Sequence, residues 1–284
     1  MKNYLAYKNQ IAGFRDVLET VKTVEKISAS SIHLFKQEVA LLNSYIAAIE
    51  QSLNRLLDFY QEKNHPLLRQ PTSAKKALII LTGDKGLTGG LWHKIIGWFI
   101  NHRQAYQSIV VVGTKGKQYL SEENIPFVKW FPSPEDVFNS QDVQPIRDFL
   151  FEKFKNGSFP QIDVLYPRFI SVAKQEAMVT GLLPFAFLEQ KRANQTKNGL
   201  GLPIFEPSKK DIFNRLLQKY IGVFFQKIVL EARLSELSAR TVAMEHAAAK
   251  TDELIKKLIL NYLDERRISI TQKQLEAFSV HKII

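Results

Sequence analysis

Two glycine-rich turns are the parts of this sequence whose residue types could bind a phosphate. Residues 83–90 read GDKGLTGG after the apolar run ALIILT, and residues 113–117 read GTKGK after SIVVV. A glycine turn between a strand and a helix is a common phosphate cradle. Neither turn has the spacing of a phosphate-binding loop or of a dinucleotide fingerprint. Asp84 also puts a negative charge where a phosphate would approach. We therefore interpret both turns as structural, with glycines that supply positive φ.

Other catalytic or metal-binding patterns are missing from the sequence. The 284 residues include no cysteine, which excludes disulfides, thiolate zinc sites and cysteine nucleophiles. The six histidines are scattered without a His-x-x-x-His pair. No G-x-S-x-G elbow and no H-E-x-x-H motif occurs. The sequence predicts a protein that is not an enzyme by itself and that has no cofactor and no metal site.

The helix-breaking residues divide the chain into three segments. All 11 prolines, and all but two of the 13 glycines, lie between Pro66 and Pro207. Because these residues interrupt helices, their distribution predicts a helix over 1–65, a folded α/β domain over 66–207 and a second helix over 208–284.

The two flanking segments carry apolar residues at alternating spacings of three and four. This spacing is typical of a coiled-coil seam. Two such seams at opposite ends of one chain suggest that they pair, although a helical bundle would bury the same stripes separately. The first seam is Ile11, Phe14, Leu18, Val21, Glu25, Ser28, Ile32, Phe35, Val39, Leu42, Ile46, Ile49, Leu53, Leu56 and Tyr60, and the second is Leu230, Leu234, Leu237, Thr241, Met244, Ala248, Thr251, Ile255, Leu258 and Tyr262.

The middle segment alternates short β-rich runs with amphipathic stretches. The runs at 77–82, 108–113 and 161–169 read ALIILT, SIVVVG and QIDVLYPRF. Strands that alternate with helices predict a small α/β layer with parallel strands.

Charge and hydropathy limit the classes of partner. The formal net charge is +11, but basic residues are spread over all three segments and mix with acidic ones. A nucleic-acid-binding protein usually clusters its basic residues on one face, so an acidic protein partner explains the charge equally well. The N-terminal residues lack the apolar stretch of a signal peptide, and no run approaches the ~20 apolar residues of a membrane span.

Several stretches, in order along the chain, resemble the gamma subunit of F-type ATP synthases. The longest is ELSARTVAMEHAAAKTDELIKKLILNYLDERRISITQ at 236–272, and shorter ones are KNQIA, GDKGLTGGLW, VVGTKGKQYL, DVLYPRFIS, GLLPF and FEP. The resemblance implies an antiparallel coiled coil of the two terminal helices and a Rossmann-like α/β domain. It also implies a rotor shaft that turns inside a ring of three catalytic and three non-catalytic subunits.

The resemblance further implies contacts with the surrounding ring. Arg266 and Gln272 match positions that contact catalytic subunits near the top of the shaft. Val24 stands at the position of a methionine in the family's first helix. Lys85 and Thr88 match the turn at the shaft's collar, beside the lever loops of the catalytic subunits. We expect Thr88 to lie at the exposed tip of this turn.

At the base of the shaft, Phe205 and Glu206 match a segment that faces a small epsilon-like rotor subunit and a membrane c-ring. The resemblance thus implies a peripheral protein on the cytoplasmic side of a membrane, with no nucleic acid partner. The first helix departs from the family pattern at ETVKTVE, so a related ATPase motor with other mechanical work is an alternative. An enzyme with a helical arm and a coiled-coil nucleic-acid-binding protein are the alternatives from other classes.

Overall fold

The structure is a computed structural model that describes residues 3–57, 67, 75–134, 141–184 and 206–281. Its helices are α1 (Asn3–Leu57), α2 (Leu91–His102), α3 (Thr114–Glu122), α4 (Gln144–Lys155) and α5 (Lys209–His281). Its strands are β1 (Lys76–Leu81), β2 (Ser108–Val112), β3 (Lys129–Phe131), β4 (Gln161–Ser171) and β5 (Lys174–Leu183).

The chain forms two compact units. The first unit comprises Met1–Ser30 and Arg240–Ile284, and the second comprises Ser31–Ala239. Both long helices therefore contribute residues to each unit. Among the residues that the structure describes, no helix is long and apolar enough to cross a bilayer.

A five-stranded sheet forms the centre of the second unit, in the order β3-β2-β1-β4-β5. The first four strands are parallel to their neighbours, whereas β5 pairs antiparallel with β4. The innermost strands are buried on both faces, which is why β1 and β2 read as continuous apolar runs. The predicted Rossmann-like α/β domain is confirmed, with an antiparallel edge strand added to the predicted parallel ones.

The two faces of this sheet pack against different helices. Alternate side chains point to opposite faces of a strand. One face packs on α1, α4 and α5, and the other packs mainly on α2 and α3, with Ala239 of α5 in the same cluster. The first face contributes Ile79, Leu81, Val110, Val112, Ile162 and Val164, and the second contributes Leu78, Ile80, Ile109, Val111 and Leu165.

Both long helices contribute fully buried side chains to the first of these two faces. Leu53 of α1 has no exposed surface, and Ile49 on the same helix is 5% exposed. Phe225 and Ile228 of α5 pack in the same cluster. The long helices therefore form part of the core of the α/β domain in the second unit.

The long helices run antiparallel within the second unit. Phe35 of α1 packs in a buried cluster with Leu230, Leu234 and Leu237 of α5. Further along α1, the Tyr220 hydroxyl donates a hydrogen bond of 3.1 Å to Glu50. Residue numbers thus rise along α1 as they fall along α5.

The same two helices pair in the first unit, where the Tyr4 and Tyr262 ring centroids lie 6.3 Å apart. Every residue of the two predicted seams that the structure describes is buried or half-buried, including the polar Ser28 at 3% exposure. The predicted antiparallel coiled coil is confirmed, and the alternative of separately buried stripes is wrong. Tyr60 of the first seam lies outside the described residues.

Candidate functional site

The glycine turn, residues 83–90, joins β1 to α2 at the carboxyl end of the parallel strands. Its chain reverses at Leu87, whose φ of 64° is left-handed, and at Gly89 and Gly90, which have φ of 57° and 89°. The Leu91 amide donates to the Thr88 carbonyl at 3.2 Å, and the Trp92 indole donates to the Lys85 carbonyl at 3.4 Å. The turn is thereby attached to the first residues of α2.

Asp84 joins the glycine turn to α3 and to the residues after β3. Its carboxylate accepts hydrogen bonds from the backbone amide and, at 2.7 Å, the hydroxyl of Thr114, the first residue of α3. Its other oxygen accepts from the Ser133 amide at 3.2 Å. A carboxylate at a helix N-terminus satisfies free amides and interacts favourably with the helix dipole. Asp84 therefore takes the position that a phosphate would need at this helix.

The second glycine turn closes tightly on Thr82. The Thr82 hydroxyl donates to the Val112 carbonyl at 2.7 Å and accepts from the Gly116 amide at 2.8 Å. A Cβ at Gly116 would lie 2.7 Å from this hydroxyl oxygen, and Gly113 has φ of 94°. Because the space beside both glycines is filled by the protein, their role here is close packing and positive φ.

A polar stretch of α5 lies beneath the glycine turn. Every residue from 228 to 239 is buried, including the charged Glu231, Arg233 and Glu236. Arg233 Nη1 and Glu236 Oε2 form an ion pair at 2.6 Å. A Cβ at Gly83 would lie 2.7 Å from the same Glu236 oxygen. Sequence reasoning misses this contact because a seam pattern identifies only the apolar face of a helix.

The two predicted contact residues of the turn differ in exposure. Lys85 is exposed, whereas Thr88 is only 5% exposed, so the expectation that Thr88 lies at the exposed tip is wrong. The left-handed backbone at Leu87 turns the chain back towards α2, so Thr88 packs inward. Leu87 takes the tip position and is 63% exposed. A positive φ at leucine has no signal in a single sequence, so sequence reasoning does not find this residue.

The remaining predicted residues lie on the long helices and at the start of α5. Arg266 and Gln272 are exposed on the part of α5 in the first unit, and Val24 is half-buried on α1 in the same unit. Glu206 is exposed shortly before α5. Phe205 lies outside the described residues. Lys85 and Thr88 belong to the glycine turn of the second unit, whereas Arg266, Gln272 and Val24 belong to the first unit.

A pair of titratable groups with raised pKa values lies away from the glycine turn. The Tyr106 hydroxyl donates to Asp163 Oδ2 at 3.4 Å. Burial, then the charge of Asp163, raises the pKa of Tyr106 to about 12, and burial raises the pKa of Asp163 against the opposing charge of Lys76. Over the described part of the chain, no three His, Asp or Glu side chains converge as metal ligands would.

Comparison with known proteins gives matches over nearly the whole chain. The sequence profile of the family described as ATP synthase matches residues 3–279. The ATP synthase gamma chain of Clostridium novyi is 26% identical over 272 residues, which are 95% of this chain and 94% of that one. The gamma chain of Dehalococcoides mccartyi is 29% identical over 281 residues, or 97% of each chain.

Solved structures give the same fold. A chain in the Euglena gracilis mitochondrial ATP synthase, in a structure of OSCP, F1 and c-ring in rotational state 3, superposes with a TM-score of 0.66. It is 16% identical, and the match covers 99% of this chain and 94% of that one. A chain from the central stalk and c-ring of the Tetrahymena thermophila mitochondrial enzyme matches with a TM-score of 0.58 and 19% identity, over 80% of this chain and 99% of that one.

Proposed function

Because the chain belongs to the ATP synthase gamma-chain family, we propose that it is the central-stalk rotor subunit of an F-type ATP synthase or ATPase. It transmits torque between a catalytic ring and its base, and it holds no catalytic residue itself. The observation that carries this proposal is the family match over residues 3–279, which includes both coiled-coil helices and the α/β domain.

The physical basis of this function is a coupling between shaft angle and site affinity. An asymmetric shaft presents a different surface to each of three equivalent catalytic subunits. Their affinities for nucleotide therefore differ at any moment, and rotation exchanges them, which is a coupling free energy between two parts of one assembly. The partners are three catalytic and three non-catalytic subunits, a small epsilon-like rotor subunit and a membrane c-ring. The assembly is peripheral, on the cytoplasmic side of its membrane.

The contact residues follow from exposure and from the family resemblance. We assign the collar contact to the glycine turn, through Lys85 and the exposed Leu87, with the buried Thr88 supporting the turn from inside. Arg266 and Gln272 contact catalytic subunits from exposed positions on α5, and Val24 supports that contact from α1. Glu206, together with Phe205, contacts the base.

A reversible cross-link tests the proposal. The chain has no cysteine, so Leu87→Cys introduces a unique thiol at the exposed tip of the turn. A second cysteine in the lever loop of the catalytic subunit can form a disulfide when the two Cα atoms come within ~7 Å. We expect oxidation to stop multi-turnover ATP hydrolysis and reduction to restore it, measured against the cross-linked fraction on a non-reducing gel.

The control is the same oxidised complex without the lever-loop cysteine, which should hydrolyse ATP at an unchanged rate. Complete cross-linking with persistent turnover would contradict the rotor function. Absence of a cross-link at every lever-loop position would contradict the collar assignment.

A further inference from the structure

Glu236 of α5 is packed directly against Gly83, the first residue of the glycine turn. A Cβ on Gly83 would lie within 2.7 to 2.8 Å of all three atoms of the Glu236 carboxyl group. The backbone of Gly83 is outside the left-handed region that favours glycine. The need for glycine at position 83 therefore comes from the carboxylate beside it and not from the backbone conformation.

The Glu236 carboxylate is held in place from several sides. It is 2% exposed and pairs with Arg233 at 2.6 Å, so a shift would stretch a buried ion pair. The cavity next to the pair, lined by both side chains, Thr82 and Trp92 among others, measures about 20 Å³. This volume has room for about one water molecule.

We propose that Glu236 is a positioning residue for the glycine turn, acting through Gly83. The carbonyl of Gly83 accepts a hydrogen bond of 3.0 Å from the Lys115 amide, and the next residue, Asp84, binds the N-terminus of α3. Contact with Glu236 fixes the start of the turn between α5 and α3, and this fixes how Lys85 and Leu87 are presented. That last step rests on the proposed function, whereas the packing of Glu236 on Gly83 does not.

Two substitutions that should compensate each other test the packing of Glu236 on Gly83 in the full chain. Gly83→Ala adds a methyl group that collides with the carboxylate, and Glu236→Asp withdraws the carboxylate by about one C–C bond and leaves a gap. We expect each single change to speed amide hydrogen exchange at residues 84–91 by about tenfold, because each loosens the turn. The double change should return exchange to within about threefold of the original chain, because the new methyl group fills the new gap.

Two variants separate this contact from general effects on the turn. Gly86→Ala is the matched control, since a Cβ there would meet no atom nearer than 3.8 Å, and we expect exchange close to that of the original chain. Glu236→Gln keeps the size of the side chain, so it should not suppress Gly83→Ala. If Gly83→Ala exchanges like Gly86→Ala, or if Gln suppresses as well as Asp does, the proposal is overturned. Should Gly83→Ala fail to fold, folding of the double variant supports the proposal, and its failure to fold overturns it.

The functional step has a separate measurement in the reconstituted complex. We expect Gly83→Ala to lower ATP turnover several-fold without loss of assembly, and Glu236→Asp in the same chain to restore it. If the double variant restores the original rate of amide hydrogen exchange but ATP turnover is the same in all variants, the positioning role is overturned. Failure of the unaltered chain to assemble with the catalytic ring would instead contradict the proposed function.

Discussion

Leu87 combines two features that a residue without a surface role rarely has. Its side chain is 63% exposed, and its backbone has φ of 64°. For an L-residue other than glycine, this conformation costs roughly 1–2 kcal/mol. The other non-glycine residue with positive φ in the described ranges is Asn124, whose side chain tolerates this region. A strained, exposed leucine is therefore a candidate contact residue and not a packing residue.

Replacing Leu87 separates its strain from its contact. We expect Leu87→Asn to leave the free energy of unfolding unchanged or to raise it by up to about 1 kcal/mol, because asparagine tolerates the left-handed region. Turnover of the assembled complex should fall, because the apolar contact is lost. Leu91→Asn is the control: Leu91 is 4% exposed, so the change should cost about 2 kcal/mol or more. Reduced stability and normal turnover in Leu87→Asn would contradict the assignment.

Tyr106 predicts how stability depends on alkaline pH. Its pKa is raised from 10.0 to about 12 in the folded chain, by burial first and then by Asp163. Between these values the unfolded chain has lost the proton that the folded chain keeps, so folding stability falls as the pH rises from the first value towards the second. Tyr106→Phe should make the free energy of unfolding in urea less sensitive to pH over this window.

A second buried tyrosine limits how much of this pH dependence the change at Tyr106 removes. Some dependence should remain in Tyr106→Phe, since burial also raises the pKa of Tyr220. Identical pH dependence in Tyr106→Phe and the unaltered chain would contradict the inference.

At the level of elements, the long helices are predictable because their signal is repeated many times. The alternating spacing identifies the buried and half-buried positions from Ile11 to Leu56. A single polar residue in so long a repeat does not change the positions that the repeat predicts. The short strand β3 and the edge strand β5 are not predictable in this way. β3 has only three residues, and β5 is exposed at alternating positions with little apolar contrast.

The buried polar stretch of α5 shows a second reason for incomplete prediction. Glu231, Arg233 and Glu236 read as a solvent-exposed face in the sequence, yet they are buried. Their burial depends on the α/β domain of the second unit, to which they are adjacent only after folding. Local periodicity cannot report a contact between residues that are far apart along the chain, such as Gly83 and Glu236.

Adjacent residues of α1 give a sharp test of the seam. Phe35 is 9% exposed in the cluster with three leucines of α5, whereas Leu34 is 62% exposed. Phe35→Asp places an unpaired charge in this cluster and should cost at least about 3 kcal/mol. Leu34→Asp should change the free energy of unfolding by less than about 0.5 kcal/mol. Urea unfolding of both variants measures the difference, and equal effects would contradict the pairing of the helices at this level.

For the whole molecule, full-length similarity carries the functional assignment where no single motif does. The curated gamma chains match 94% or more of their own length, so the comparison includes both units and the sheet. The net charge of +11 is spread over all three segments, so an acidic protein partner explains it as well as a nucleic acid does. Residues that contact a partner subunit are exposed in the isolated chain. Neither apolar periodicity in the sequence nor burial in the structure therefore identifies them directly.

The assigned contacts on α5 can be tested in the whole complex. Arg266 and Gln272 are both exposed in the first unit, so replacing them should not unfold the chain. Each polar contact with a partner contributes roughly 0.5–3 kcal/mol, which is small beside a whole interface but is enough to slow a catalytic step. We expect Arg266→Ala with Gln272→Ala to lower ATP turnover several-fold while the complex stays assembled on size exclusion.

The control is Lys256→Ala, which removes an exposed cation of the same helix that pairs with Asp252, and turnover should not change. Because the chain itself holds no catalytic residue in this proposal, a slower rate in an intact complex would act through the contact with the catalytic subunits. Equal turnover in the double variant and in Lys256→Ala would remove both residues from the contact surface.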